Sequence, residues 1–465
     1  DNTKPGDSNS WEAYPISIRL IIWSSVWELL LSISYSDEKF LTKLLASIKQ
    51  QTNFLFNNLE LDLANNHYTA NGKALFWMGV TFPIFKESKK WLEKGKEILH
   101  KQLKKEVCSD GSQYENSTSY QLLTLLDYLE VLVLAKKNNI PLHDDFKWYI
   151  ESMAQYVLSI TKPDGTLPLL NDSSEGYPMD SKEIMAVAAV IFNRGDFKFV
   201  SKGANLSYLL RLLGNNGLIK YNQIKSEIPD INSVHLKDSG YIILRNGWDN
   251  QKSYFIFDAG PIGPDHCCGH AHADNLSFEL FSNGETIFLD PGTFEYGNGL
   301  KRNYYRSTAA HNTVTIENKN QSTFWGAFRV DHIARVKCNN VHFGNVREVI
   351  TAEHYGYQRL AQKIIHERTI DWNKSDHWII KDLIKGNANT KTNGFLNFQV
   401  GLNCEKIFAE GNRCFLHFKS GVIVEVQFLS DSALRVELLD SFISKEWKRE
   451  YTSKQIKVYF EDILP

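Results

Sequence analysis

The sequence predicts an α+β protein of two domains, a helical first half followed by a strand-rich second half. Three observations carry that expectation. Apolar residues recur at three- and four-residue steps over about the first 200 residues. Beyond about residue 240, short runs rich in β-branched and aromatic residues take over. The length of 465 residues exceeds what one ordinary core holds.

The first ten residues are polar and are expected to be loose. The helical pattern opens at Trp11 and runs over 11–34, with Ile18, Ile21, Ile22, Val26, Leu29 and Leu30 in register. Further helices are predicted at 38–57, 71–84, 87–107, 117–138, 143–161, 181–194 and 202–213. In 117–138, Leu122, Leu125, Leu126, Leu129 and Leu132 form one stripe. Turn signals such as Ser109-Asp110-Gly111 and Pro163-Asp164-Gly165 separate the segments, so successive helices should pack as antiparallel hairpins.

Strands are predicted at 241–244 and 254–257, then at 312–317, 328–336, 347–354, 362–371, 376–385, 393–400, 413–417, 421–428, 433–438 and 455–460. Many strands at short spacing imply antiparallel sandwich sheets. The boundary is placed at 228/229, giving a helical domain over 1–228 and a sandwich over 229–465.

A formal net charge of −2 gives no hint of a nucleic-acid partner, although local potential can still steer an acidic polymer. Six cysteines without a C-x-x-C read as free thiols, with Cys404 and Cys414 the one close pair to check. No run of 18 apolar residues occurs, so no membrane-spanning segment is expected. No leader is recognisable, which leaves the compartment open.

The densest chemistry lies in Gly269-His270-Ala271-His272-Ala273-Asp274, continuing through Leu289-Asp290-Pro291-Gly292 to His311-Asn312-Thr313. Read as a strand, the first stretch would aim His270, His272 and Asp274 at one face. Zinc favours imidazole and carboxylate donors, so His272, Asp290 and His311 are candidate ligands if their strands are neighbours. Each also has a plain reading as a separately hydrogen-bonded side chain. A second cluster lies upstream: Asn65-Asn66-His67, then Asp110 through Glu115, and Tyr120. Asn66 precedes a helical stretch and equally suits a cap; Tyr120 equally suits a core.

The run GHAHADNLSFELFSNGETIFLDPGTFEYGNGLKRNYYRSTAAHNTV over 269–314 resembles the signature of the heparinase II/III-like polysaccharide lyases. WEAYPISIRLIIW near the start, NNHY at 65–68, DGSQYENSTSYQ at 110–121 and LLNDSSEG at 169–176 fit the same family, in the same order. The resemblance implies an incomplete α/α toroid, with its N-terminal part missing or removed, followed by an antiparallel β-sandwich. It puts a zinc-like, mainly structural divalent metal on His272, Asp290 and His311, with no organic cofactor. It makes Asn66, His67, Tyr120 and His270 catalytic. Glu115, Tyr296, Tyr304, Tyr305 and Arg306 are assigned to substrate binding, the three tyrosines competing for one role beside the cleft.

The implied reaction removes the C5 proton of a uronic acid and expels the oxygen at C4. The Asn66 amide, supported by His67, would stabilise the enolate-like charge, while Tyr120 and His270 would serve as acid and base. The expected partner is an acidic polysaccharide, heparan sulfate-like first, with alginate, hyaluronan or a bacterial exopolysaccharide as alternatives. A glycoside hydrolase would need paired carboxylates, for which Asp110, Glu115 and Asp172 are the candidates. A non-catalytic binding protein is the third class. Secretion or periplasmic export is expected from the substrate.

Overall fold

The computed structural model describes residues 8–63, 65–375 and 377–464. The expectation of a loose start falls partly on residues 1–7, outside the described residues; Asn9–Trp11 forms a 3-10 turn. Helices are followed by antiparallel sheets, the expected class. Nine helices precede the sheets among the described residues: α1 (Ala13–Ser32), α2 (Glu38–Asn57), α3 (Asn66–Thr81), α4 (Ser88–Glu106), α5 (Thr118–Lys137), α6 (Phe146–Ile160), α7 (Ser181–Phe192), α8 (Gly195–Val200) and α9 (Ser207–Gln223). Seven of the eight helical segments read from periodicity overlap an observed helix closely; the last, 202–213, catches only the first half of α9.

The chain forms two compact units that interleave in sequence: Asp1–Cys108 with Leu123–Ser152, and Ser109–Leu122 with Met153–Pro465. In the first unit α3 is the buried helix. Its neighbour α4 approaches so closely that a Cβ on Gly95 would lie 2.4 Å from the Phe76 backbone nitrogen, a contact only glycine allows. The charge of Lys73, buried on α3, is met by Asp127 at 2.6 Å and by Glu130. Among described residues, α1 is the one helix long and apolar enough to cross a membrane, which the search for an unbroken apolar run passed over. It contributes Ile16 and Leu20 to the core shared with α3, while Ile18, Ile22, Val26, Leu29 and Leu31 are exposed.

In the second unit every strand pairing among the named strands is antiparallel. A five-stranded sheet runs in sequence order: β1 (Val234–His235), β2 (Tyr241–Arg245), β3 (Tyr254–Asp258), β4 (Phe278–Ser282) and β5 (Glu285–Phe288). Its apolar residues Phe255, Phe257, Phe278 and Phe288 share one core with Ile350, Ile370 and Trp372 from a second sheet, and with Phe398, Ile456 and Val458 from a third. Facing apolar sheets of this kind are a sandwich.

Among the described residues the six cysteines form no disulfide. Cys404 stands opposite Phe418 and Cys414 opposite Ala409 across one strand pair, so the pair singled out from spacing does not meet.

One expectation is overturned. Residues 267–276 form no strand, so His270, His272 and Asp274 do not share a strand face. Local turns win over the alternating pattern: the Ala271 amide donates to Cys268 and the Ser277 amide to Asp274, while Leu276 takes a left-handed φ of 63°. The loop is tied instead to 171–172, where the Asp172 amide donates to the His270 carbonyl and the His272 amide to Asn171 Oδ1.

Candidate active site and metal site

The second unit gathers its ionisable groups around Asp172, which is fully buried. Its Oδ2 lies 3.0 Å from His270 Nδ1, and its Oδ1 lies 3.0 Å from His272 Nε2. The Arg302 guanidinium grips both oxygens, with Nη2 to Oδ2 at 2.9 Å and Nη1 on Oδ1. Burial alone would raise this carboxyl, but Arg302 and the two histidines hold it well below the usual carboxylate range.

Arg302 comes from the short helix α10 (Leu300–Tyr305), inside the strand-rich half. It also donates to the carbonyls of Gly269 and Ala327, so one side chain fixes the Asp172 carboxylate and the loop carrying His270.

On the other side of His270 stand Tyr120 and Glu115, both at the start of α5 or just before it. The Tyr120 ring stacks on the imidazole at 3.7 Å between centroids, tilted 25°. Its hydroxyl is 3.2 Å from that of Tyr296. Burial, then the neighbouring Tyr296, pushes the Tyr120 phenol well above its ordinary value, and burial followed by Asp172 does the same to Tyr296. Both phenols therefore hold their protons at neutral pH. Glu115 Oε2 lies 3.4 Å from His270 Nε2. Phe328 and Trp447 pack against Tyr296.

Of the residues assigned to substrate binding, Tyr296 and Glu115 are at this cluster. Tyr304 is half-buried, its hydroxyl 3.2 Å from Ser441 Oγ. Tyr305 and Arg306 correct the expectation: both are wholly buried and offer a sugar no surface. Tyr305 donates to Glu450, while Arg306 donates to the Gly326 and Ala327 carbonyls and lies over the Phe324 ring. Burial and the nearby Arg302 push the Arg306 guanidinium down to about 9.

Asn66 and His67 belong to the first unit. The cap of α3 is Asn65, whose side chain accepts from the His67 amide, so Asn66 is the first helical residue and not the cap. Asn66 is buried; His67 stacks on Tyr14 at 4.2 Å and meets Glu60 at 3.1 Å.

His272, Asp290 and His311 converge, with one donor atom from each lying within 4.8 Å of the others. All three are buried. His272 Nδ1 and His311 Nε2 have no hydrogen-bond partner, which is unusual for buried polar atoms and suits metal ligands. Asp290 reaches the site because the chain turns at Gly292, with a φ of 72°. There a Cβ would lie 2.3 Å from the Ser444 carbonyl oxygen. Burial lowers His272 against the pull of Asp172, whereas for His311 the Asp290 carboxylate outweighs burial and raises it. The donor set fits a divalent ion.

Two residues central to this geometry were not singled out as site residues from sequence. Asp172 was weighed only as half of a hydrolase pair, although it sits inside the LLNDSSEG stretch. Arg302 carried no local signal.

Helices followed by an antiparallel sandwich, with a His-Asp-His cluster and a buried tyrosine–histidine stack, define a helices-then-sandwich class of protein. The chain belongs to the heparinase II/III-like family: the C-terminal heparinase II/III-like family matches residues 229–462, and the heparinase II/III N-terminus matches 1–199. It is similar to a heparin-sulfate lyase of Pedobacter heparinus, 25% identical over 96% of this chain and 63% of the relative. A heparin-sulfate lyase of Bacteroides stercoris is 24% identical over 99% of this chain and 64% of its own. The chain thus spans less than two thirds of the length of these relatives. A crystal structure of heparinase III aligns over 100% of this chain and 71% of its own, with a TM-score of 0.82 at 21% identity. One of a heparan sulfate lyase from Pedobacter heparinus aligns over 98% and 67%, with a TM-score of 0.72 at 23% identity. These likenesses show the fold, an incomplete α/α toroid followed by an antiparallel β-sandwich.

Proposed function

We propose that the protein is a polysaccharide lyase that cleaves a heparan sulfate-like glycosaminoglycan by β-elimination. The observation that carries this reading is the Tyr120 phenol, buried, protonated and stacked on His270. An elimination needs one group to take the C5 proton and one to protonate the departing O4. Tyr120 is suited to donate, and His270, with Nδ1 hydrogen-bonded to Asp172, would accept through Nε2, which stands 3.4 Å from Glu115 Oε2, too far for a hydrogen bond. Tyr296 supports the Tyr120 hydroxyl. Family membership and the two heparin-sulfate lyase relatives support the substrate class. The role of Asn66 and His67 in neutralising the uronate carboxylate rests on the motif at 65–68.

His272, Asp290 and His311 would hold zinc. Bound there, the ion would tie the 269–274 loop to the turn at Asp290 and so steady the backbone that carries His270. A protein acting on such a polymer works outside the cytoplasm, in the periplasm or beyond the cell.

The hydrolase reading loses support from the same geometry. Asp110 is occupied in accepting from the amides of Asp238 and Ser239. Asp172 is sealed in its ion pair with Arg302, and Glu115 shares His270 with it, instead of the two facing each other across a sugar-wide gap.

The deciding assay incubates the protein with a panel of heparan sulfate, heparin, hyaluronan and alginate and follows the ultraviolet absorbance of a C4–C5 unsaturated uronate. Absorbance growing on heparan sulfate is the expected result; new reducing ends without it would overturn elimination, and turnover confined to alginate or hyaluronan would overturn the substrate class.

A further inference from the structure

We infer that Asp172, held by Arg302, is a positioning residue that sets opposite tautomers on the two histidines of the His-x-His pair and so links the metal site to the acid–base site. A carboxylate only accepts hydrogen bonds, so each ring nitrogen that faces it must donate. His270 faces Asp172 with Nδ1 at 3.0 Å, which puts its proton there; Nε2 lies 3.4 Å from Glu115 Oε2, longer than a hydrogen bond, and so keeps its lone pair for chemistry. His272 faces the same carboxylate with Nε2 at 3.0 Å, which puts its proton on Nε2 and leaves Nδ1 bare. That bare Nδ1 is the buried atom without a partner beside Asp290 and His311. One side chain thus prepares a base with one oxygen and a metal ligand with the other.

The carboxylate is itself fixed from three directions. Arg302 holds both oxygens, the Thr293 hydroxyl reaches Oδ1 at 3.3 Å, and the Asp172 amide donates to the His270 carbonyl. A bidentate guanidinium sets the plane of a carboxylate as well as its charge, so rotation that would release one histidine also breaks the Arg302 fork. Carboxylates behind metal-bound histidines act on affinity in this way, typically by 10- to 100-fold. What is particular here is that the same carboxylate also serves the histidine beside Tyr120.

The catalytic half of this inference rests on the lyase reading; the tautomers and the metal affinity do not. The test is therefore made first on metal-free wild-type protein labelled with nitrogen-15 in histidine. The expected spectrum has His270 protonated on Nδ1 and His272 on Nε2; either ring found with its only proton on the other nitrogen overturns the inference, whatever the activity assay shows.

Asp172→Asn is the second arm. An amide offers one acceptor and one donor, so one of the two histidines must invert its tautomer. In folded Asp172→Asn protein we expect that inversion, together with a roughly 10- to 100-fold weaker hold on Zn2+ in competition with a chromophoric chelator if the inverted ring is His272. If it is His270, the expectation is a kcat loss of similar size with KM nearly unchanged. Both tautomers and zinc affinity kept as in wild type would overturn it. Should Asp172→Asn not fold, Arg302→Lys, which keeps the charge and loses the fork, takes its place: both tautomers should stay as in wild type while the hold on Zn2+ weakens, and an unchanged zinc affinity or an inverted tautomer would overturn the inference. Wild-type protein that shows the expected tautomers and binds zinc but does not eliminate would remove the proposed function and leave the positioning role standing, whereas a failure to bind zinc would overturn the link to a metal site.

Discussion

The Tyr120 ring lies flat on the His270 imidazole, 3.7 Å between centroids, and reaches past it to within 3.2 Å of the Tyr296 hydroxyl. The stack needs the ring and the chemistry needs the oxygen, so the two are separable. Tyr120→Phe should fold and melt like wild type while losing elimination by about 10²- to 10⁴-fold, the usual worth of a placed acid or base. Unchanged turnover in folded Tyr120→Phe would remove Tyr120 from the mechanism.

The unpartnered nitrogens of His272 and His311 beside Asp290 make a metal prediction. His272→Ala should lower bound zinc, read by elemental analysis, and the melting temperature together. Purified wild-type protein without any metal would refute that role.

A buried ion pair beneath the site makes a stability prediction. Lys162 meets Glu279 at 3.1 Å, and Glu279 also accepts from the amides of Leu169 and Asp290. Removing one partner leaves the other charge buried and alone, so Lys162→Met should cost about 3–5 kcal/mol in urea unfolding. A cost below about 1 kcal/mol would mean that water reaches Glu279, against its burial.

Acid sensitivity should come from His354. It is buried, with His366 at 5.2 Å between rings and Arg368 and Arg359 nearby, and burial, then these cations, holds it well below 6.5. The folded state thus binds fewer protons than the unfolded chain just below that value. Stability is full above about pH 6.5 and falls as the pH drops toward the depressed folded value. His354→Gln should flatten the pH dependence of denaturant midpoints below about pH 6.5. A slope equal to wild type would show that other groups carry the effect.

The sequence by itself determined the local structure and the family. Helix periods in 117–138 and 38–57 were legible because a buried stripe must repeat every three to four residues, and α5 and α2 follow. The His272, Asp290 and His311 set was legible because metal chemistry restricts its donors, and the structure brings those donors together. Only the tertiary structure decided how the His-x-His pair is held. Asp172 lies 98 residues from His270 and 130 from Arg302, so no local pattern could join them. The alternating GHAHAD looked like a strand, yet its amides and carbonyls are satisfied by turns and by Asn171–Asp172. Periodicity reports which face a residue would present in a regular element. It is silent where the backbone finds its hydrogen bonds outside one, and there long-range contacts choose which nitrogen faces which oxygen.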